Sequence, residues 1–525
     1  MPQRPASRFS ASSHVALGIL FSRLTGLAKE RAIGHYFGVD SIVADALRQS
    51  IRIPNLLSNL FGEGVLSASF VTVYAKLRAR GEDIEARHLA AAVFGILSLA
   101  CSVLVLAGVA ATPLLIDLIA PGFKGEERAL TIHLVRILFP GTGLLVLSAW
   151  CLGVLNSHHR FLLSYMAPMA SNVTVIAVLI WSGRHLKDER LVVPVAWAVV
   201  VGSALQFLVQ LPRVLKLLPR FRPAFDATSQ HVRSVFRNFG PIFLSRGVVQ
   251  ISSYIDSMIA SLLPVSAVAA LGYGQVISIL PISLFSMSVS AAELPALSSA
   301  TGSGEEIALF LRSRVSSGLR RIAFLIVPSA AAFLLLGDVL VAAIYQSGRF
   351  HYSNAVYVWA VLAGSAVGLL ATALGRLYSS AFYALLDTRT PLRFAVIRVV
   401  LTIALGFPCA LFLPGWIGID PKWGVAGLTA SAGIAGWVEF ALLRNALGKR
   451  IGETSLPASF TARLWVVAFV AGGLAYLLKL QVGTAHPILR AVLALPVYGG
   501  VYFAGTAALG IAEARTIFKS LRVFR

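Results

Sequence analysis

The chain has 525 residues, 57% of them hydrophobic and 13% charged, with a formal net charge of +22 and a mean hydropathy of +0.79. A soluble domain carries nearer a quarter charged residues, so this composition excludes a soluble enzyme and describes a polytopic membrane protein. The positive charge is scattered through short loops between apolar runs, which reads as a topology signal and contact with anionic lipid, not as a nucleic-acid surface.

A helix needs about 20 mostly apolar residues to cross the hydrocarbon core. On that measure the sequence predicts an all-α protein of about fourteen spans, at 13–36, 43–74, 87–112, 129–154, 161–183, 191–212, 238–263, 267–297, 320–345, 354–383, 392–413, 424–444, 464–480 and 490–513. Spans 1, 2 and 8 are expected to be the weakest by hydropathy, because charged or polar residues interrupt them. Span 1 contains Arg23, Lys29 and Glu30 and has no clean cleavage site, so it reads as a retained helix rather than a signal peptide. Alternating the loops between two sides places 27 basic residues on one side and 8 on the other. The positive-inside rule then puts both termini in the cytoplasm.

Spans 1 and 2 carry an unusual load. Arg23, Lys29, Arg31, Arg48 and Arg52 fall within thirty residues, with Glu30, Asp45 and Glu63 as the acidic neighbours. A charge near the bilayer centre costs a few kcal/mol on insertion scales and normally faces a wet cavity or a partner. The simplest reading is a cavity that binds an anion at membrane depth, although Arg31, Arg48 and Arg52 could instead snorkel to an interface. Arginine suits phosphate, because its planar guanidinium donates two parallel hydrogen bonds and keeps its charge when desolvated. Lys29 follows Arg23 by six residues, roughly 9 Å along a helix, a reach comparable with a diphosphate and its attached sugar.

Part of this pattern returns later in the chain. Leu20-Phe21-Ser22-Arg23 is echoed by Phe243-Leu244-Ser245-Arg246, Ser41 to Leu47 by Ser266 to Leu271, and Ile53-Pro54 by Leu280-Pro281, at offsets of 223, 225 and 227 residues. Six spans separate the copies, which predicts two pseudo-symmetric six-helix bundles plus two C-terminal helices. The implied organisation is 1–212 for the first bundle, 213–237 for a basic cytoplasmic linker, 238–445 for the second bundle, and 446–525 for two further spans and a basic tail. Such bundles suggest alternating access, with Arg23 and Arg246 in equivalent positions.

The remaining polar residues leave alternatives open. Asp45 and Glu63 read either as counter-charges for an empty cavity or as structural ion-pair partners. Asp256 and Glu293 are candidates for a coupling cation, but a lone carboxylate is a poor metal signal. Gly26, Pro54, Gly62, Gly64, Pro281 and Pro295 would bend or break helices beside a cavity, or allow close packing. Cys101, Cys151 and Cys409 stand alone in apolar segments, so neither a disulfide nor a metal is assigned. The sequence has no Walker loop or dinucleotide glycine fingerprint, and His158 and His159 beside Arg160 read as a solvated loop. No catalytic residue and no cofactor is predicted.

These residues resemble the MurJ (MviN) family of lipid II flippases, within the multidrug/oligosaccharidyl-lipid/polysaccharide exporter superfamily. Phe21-Ser22-Arg23, Gly26, Ala28-Lys29-Glu30 and Phe37-Gly38 are similar to the family's first helix. Asp45-Ala46, Ile53-Pro54-Asn55-Leu56-Leu57, Phe61 and Glu63-Gly64 are similar to its second. Weaker matches, among them Ala120-Pro121-Gly122-Phe123, Gln210-Leu211-Pro212, Gly240-Pro241 and Thr390-Pro391, continue to about residue 445. The resemblance implies a bacterial inner-membrane protein that moves the undecaprenyl-diphosphate-linked peptidoglycan precursor from inner to outer leaflet, with Arg23, Lys29 and Asp45 serving the cavity. The chain departs from the family at Ser58 and Asn59, where arginine is usual, and at Gln275 and Val276, where an Asp-Arg pair is usual. From the internal repeat, Arg246 would replace the missing charge.

The expected substrate-binding set is therefore Arg23, Lys29, Arg52 and Arg246. The expected partners are a lipid-linked diphosphate and membrane lipid, with cell-wall synthesis proteins as a further class to be considered. Rival readings are an exporter of another polyprenyl-linked glycan or of a drug, a transferase or phosphatase acting on polyprenyl phosphates, and a non-transporting scaffold for cell-wall assembly.

Overall fold

The computed structural model describes residues 8–61, 66–158, 160–226, 229–298, 304–385, 387–454, 456–483 and 486–514. Within them the side chains at 8–17, 19, 54, 56–61, 67, 68, 238, 240–253, 291, 292, 294–296 and 298 lie outside the description. The chain divides into two compact units, Met1–Tyr254 and Ile255–Arg525.

Each predicted span is helical over its described residues. In the first unit these are span 1, Arg8–Phe37; span 2, Ile42–Phe61, resuming through a π-helical turn at Ser67–Val71 as Thr72–Ala79; span 3, Asp83–Ile119; span 4, Gly125–Ser157; span 5, Phe161–Ser182; and span 6, Glu189–Leu217. Span 7, Gln230–Ser261, carries the boundary between the units. In the second unit, span 8 runs as Ala267–Pro281 and Met287–Ser298 about a π-helical turn at Ile282–Ser286. Span 9, Gly304–Leu335, precedes a short helix, Gly337–Tyr345. Spans 10 to 14 are Tyr352–Ala384, Arg389–Leu411, Gly424–Ile451, Ala458–Val482 and Pro487–Ala508.

Among the described residues, eleven helices are long and apolar enough to cross a membrane, and they correspond to spans 3–6 and 8–14. The eighth span was expected among the weak ones, but its window has a mean hydropathy of 1.7. It contains no Asp, Glu, Lys or Arg between 267 and 290. The weak member of the second half is instead span 7, which holds Arg233, Arg237, Arg246 and Asp256.

The faces agree with a bilayer as solvent. On span 3, Leu99, Val103, Leu106, Leu114 and Leu118 are 57–73% exposed and recur at helical spacing, an apolar stripe far larger than a water-facing helix carries. The opposite side packs inward, and the core of the first unit is built around Trp150, which is fully buried with its ring 4.8 Å from that of Phe94 and 5.7 Å from that of Phe221.

In the second unit, spans 10 and 12 approach through small residues. A Cβ added to Gly368 would lie 2.3 Å from Gly433 Cα, and one added to Gly364 would lie 2.4 Å from the Ala426 carbonyl oxygen. Hydrocarbon gives helices little hydrophobic reason to associate, so close backbone contact through glycine supplies dispersion energy that bulkier residues would forfeit. Thr429 uses the same proximity to donate to the Val361 carbonyl at 3.1 Å.

Candidate functional site

The charged residues of the first unit are organised by span 2. Ser41 starts the helix, its hydroxyl accepting the Ala44 N–H at 3.1 Å, and Asp45 sits in the first turn, where negative charge complements the helix dipole. From there Asp45, Arg48, Gln49 and Arg52 recur at intervals of three and four residues and so share one stripe. A neighbouring face docks on span 4, where the Ser50 hydroxyl lies 3.4 Å from the Thr131 carbonyl. The stripe is turned inward: Asp45 is 2% exposed and Gln49 is fully buried. Gln49 donates to the Ile119 carbonyl at 3.4 Å.

Span 1 meets this stripe with Glu30. Arg48 Nη1 lies 2.5 Å from one Glu30 oxygen and Lys29 Nζ lies 3.4 Å from the other. Their side chains are only 12% (Arg48), 14% (Glu30) and 25% (Lys29) exposed. Arg48 is therefore held by a carboxylate and does not snorkel. Two cations share one anion, so these three side chains together carry a net positive charge. Span 1 is positioned from behind by span 5, with Asn172 donating to the Thr25 hydroxyl at 3.3 Å. Span 7 is tied in by Tyr254, whose hydroxyl donates to the Arg52 carbonyl at 2.5 Å.

The expected substrate set is only partly brought together. Lys29 joins the Glu30–Arg48 pair, whereas Arg23, about two turns earlier on the same helix, is exposed beside Leu20, Phe21 and Leu24. No ion pair to Arg23 occurs among the described residues. Arg52 is half-buried on the span 2 stripe, and Arg31 is half-buried on span 1. Arg246 belongs to span 7, but its side chain lies outside the described residues, and Glu63 lies wholly outside them.

In the second unit, Asp256 is half-buried on span 7. Glu293 is 4% exposed and is clasped by two guanidinium groups of span 9, Arg314 at 2.9 Å and Arg321 at 3.8 Å. Among the described residues no group of three or more His, Cys, Asp or Glu gathers to hold a metal ion.

Three further charge contacts were not singled out from the sequence. Arg398 of span 11 pairs with Glu439 of span 12 at 3.1 Å. Asp338 accepts from Lys479 of span 13 at 2.5 Å and from the Tyr352 hydroxyl at 2.6 Å. Arg320 pairs with Glu513 at 2.7 Å. The signal was a charge inside an apolar run, but the partners are 41, 141 and 193 residues apart, and periodicity does not reach across such distances.

Membrane-length helices, a π-helical turn in spans 2 and 8, and charge clusters buried among the helices are the features of a polytopic transporter. Its fold is shared with an inward-facing multidrug resistance transporter of the MATE family in the MOP superfamily, at a TM-score of 0.60 and 18% identity over 84% of this chain and 99% of that one. A closer likeness is to a lipid II flippase MurJ in an inward closed conformation, at a TM-score of 0.75 and 21% identity over 94% and 99% of the two chains. The chain belongs to the lipid II flippase MurJ family, whose profile matches residues 33–489. In sequence it is 32% identical over 440 residues, 82% of each chain, to the lipid II flippase MurJ of Burkholderia cenocepacia. Asp45, Arg52, Arg246, Asp256 and Glu293 fall within the matched stretch, whereas Arg23 and Lys29 precede it.

Proposed function

We infer that this protein moves an undecaprenyl-diphosphate-linked peptidoglycan precursor, lipid II, from the inner to the outer leaflet of the bacterial inner membrane. It acts as a transporter by alternating access and makes or breaks no covalent bond. The observation that carries the reading is the net-positive Lys29–Glu30–Arg48 cluster beside the buried stripe of span 2, in a chain of the lipid II flippase family. A diphosphate is the anion such groups suit, because it can take several charge-assisted hydrogen bonds at once.

In this reading the headgroup enters from the cytoplasm and meets Arg23, Lys29, Arg52 and Arg246, while the isoprenoid tail stays in lipid. Asp45 and Glu63 hold the cations when no substrate is bound, and Glu30 shares that task. A coupling cation would meet Asp256; Glu293 could serve only after releasing Arg314 and Arg321. A membrane potential negative inside would assist anion exit by about 2.3 kcal/mol per charge per 100 mV. Both termini lie in the cytoplasm, as the loop charges indicate, and proteins that make or polymerise the precursor are the expected partners.

Depleting the protein should trap lipid II in the inner leaflet, measured by its accessibility to an external probe. Unchanged outward movement, in cells without a second flippase, would remove the reading. Arg23→Ala and Arg246→Ala should each abolish transport while the protein still inserts. A fully active variant would take that residue out of the site.

A further inference from the structure

The second unit holds an intramembrane charge cluster for which the reading above has no use. Arg398 of span 11 and Glu439 of span 12 form an ion pair at 3.1 Å, with side chains 30% and 17% exposed. Arg376 of span 10 lies within electrostatic reach of both. The close seam between spans 10 and 12 sets this up. Gly368 meets Gly433 and Thr372 meets Gly436, and one turn further on Arg376 is carried towards Glu439. Arg398 thus pairs with the carboxylate while Arg376 stands near the pair, and the three groups together carry a net charge of about +1.

Its position argues against a lipid-facing role. Arg376 is eight residues from the end of its helix and Arg398 nine residues from the start of its own. Each therefore lies roughly 12–14 Å from that end of its helix. On span 11, Arg398 shares its face with the buried Pro391, Thr402 and Gly406, whereas Val396, Val400, Ile403 and Phe407 are 41–57% exposed on the opposite face. On span 10, Arg376 is exposed, but its face continues through Ser365, Thr372, Ser379, Ser380 and Tyr383. Hydrocarbon would not select a polar stripe, whereas a water-filled passage would. Two donors also remain to be used. Arg398 Nε is buried without a hydrogen-bond acceptor, and Arg376 has no ion pair among the described residues.

We propose that Arg376 and Arg398 form a phosphate-binding subsite within the second unit, with Glu439 as the counter-charge that holds Arg398 while the subsite is empty. The ligand is a phosphate group on a membrane-borne molecule, and it rests on the flippase reading that this is the diphosphate of the lipid-linked substrate. Glu439 limits the affinity, because a bound dianion sits beside a carboxylate. Such a subsite would receive the headgroup and release it again, which a transporter needs more than tight binding.

The test is equilibrium binding of undecaprenyl diphosphate to the full-length protein in phosphatidylcholine nanodiscs. Arg376→Gln should weaken binding by roughly tenfold or more, the effect of losing a charge-assisted hydrogen bond. Arg376→Lys should recover part of this, keeping the charge but not the planar fork. Glu439→Gln should tighten binding several-fold and steepen its dependence on salt, because the net positive charge of the subsite rises. Unchanged affinity in all three variants, while Arg23→Gln weakens binding, would overturn the subsite and leave the flippase reading standing. A wild-type protein that binds no undecaprenyl diphosphate would overturn both. Adding phosphatidylglycerol distinguishes the other source of phosphate. If it saturates the Arg376-dependent effect and undecaprenyl diphosphate does not compete, the subsite belongs to bulk lipid and the proposal fails.

Discussion

Glu30 shows how one residue can govern a membrane-buried cluster. It faces two cations, and Arg48 is only 12% exposed, so removing the carboxylate takes a close counter-charge from a buried guanidinium. Breaking a buried pair from one side typically costs about 3–5 kcal/mol. Glu30→Gln should lower thermal stability in detergent by a large part of that amount, and Glu30→Gln/Arg48→Gln should regain much of it. Additive losses in that cycle would mean that the two residues do not act as a pair. Asp387 offers a milder case, in the loop ahead of span 11. Its carboxylate accepts from the Thr390 N–H and hydroxyl, from the Arg389 N–H and from Arg450. The Thr390 hydrogen bonds, helped by Arg450, pull its pKa down to about 2. A depressed carboxylate stabilises the folded state above its unfolded pKa of about 3.9, and that contribution fades as pH falls towards the folded value. Asp387→Asn should therefore cost about 1 kcal/mol at neutral pH, as lost helix caps do. The difference from wild type should shrink between about pH 4 and about pH 2.

Among the elements, spans 10 and 12 depend most visibly on the absence of side chains. Gly368→Leu places atoms where Gly433 Cα already sits, so the helices must separate and Thr429 loses its reach to Val361. A loss of about 1–3 kcal/mol is expected from overpacking alone, read as a lower midpoint in thermal or chemical unfolding. Gly500→Ala is the control, because a Cβ there meets nothing within 4 Å. Equal stability of the two variants would remove the seam as an organising contact. Periodicity made the helices legible, but not the seam. A glycine in a span reads equally as a kink, a cavity wall or a contact, and only the partner helix selects among them. Span 8 makes the same point through Pro281, which was read as a bend or break and stands where a π-helical turn opens.

At the scale of the whole molecule, the 27-to-8 loop bias predicts one topology, and the native cysteines leave room to test it. Cys101 and Cys151 are buried, and Cys409 is half-buried within span 11. A cysteine at Arg349 or Lys422 should react with a membrane-impermeant maleimide from outside intact cells, and one at Arg222 or Arg389 should not. The reverse pattern would invert the topology and with it the direction assigned to transport.

Length, hydropathy and charge bias determined by themselves that this is a helical membrane protein with about fourteen spans, because each of those signals is local to one helix or one loop. The motifs of spans 1 and 2, from Phe21-Ser22-Arg23 to Ile53-Pro54-Asn55-Leu56-Leu57, also pointed to the family, since such motifs are continuous in the chain. The tertiary structure alone decided that Glu30 serves both Lys29 and Arg48, that Glu293 is engaged by Arg314 and Arg321, and that Arg398 finds Glu439. Coulomb attraction in a medium of low dielectric acts on distance in space, and the order of residues along a chain does not encode which helices will lie side by side.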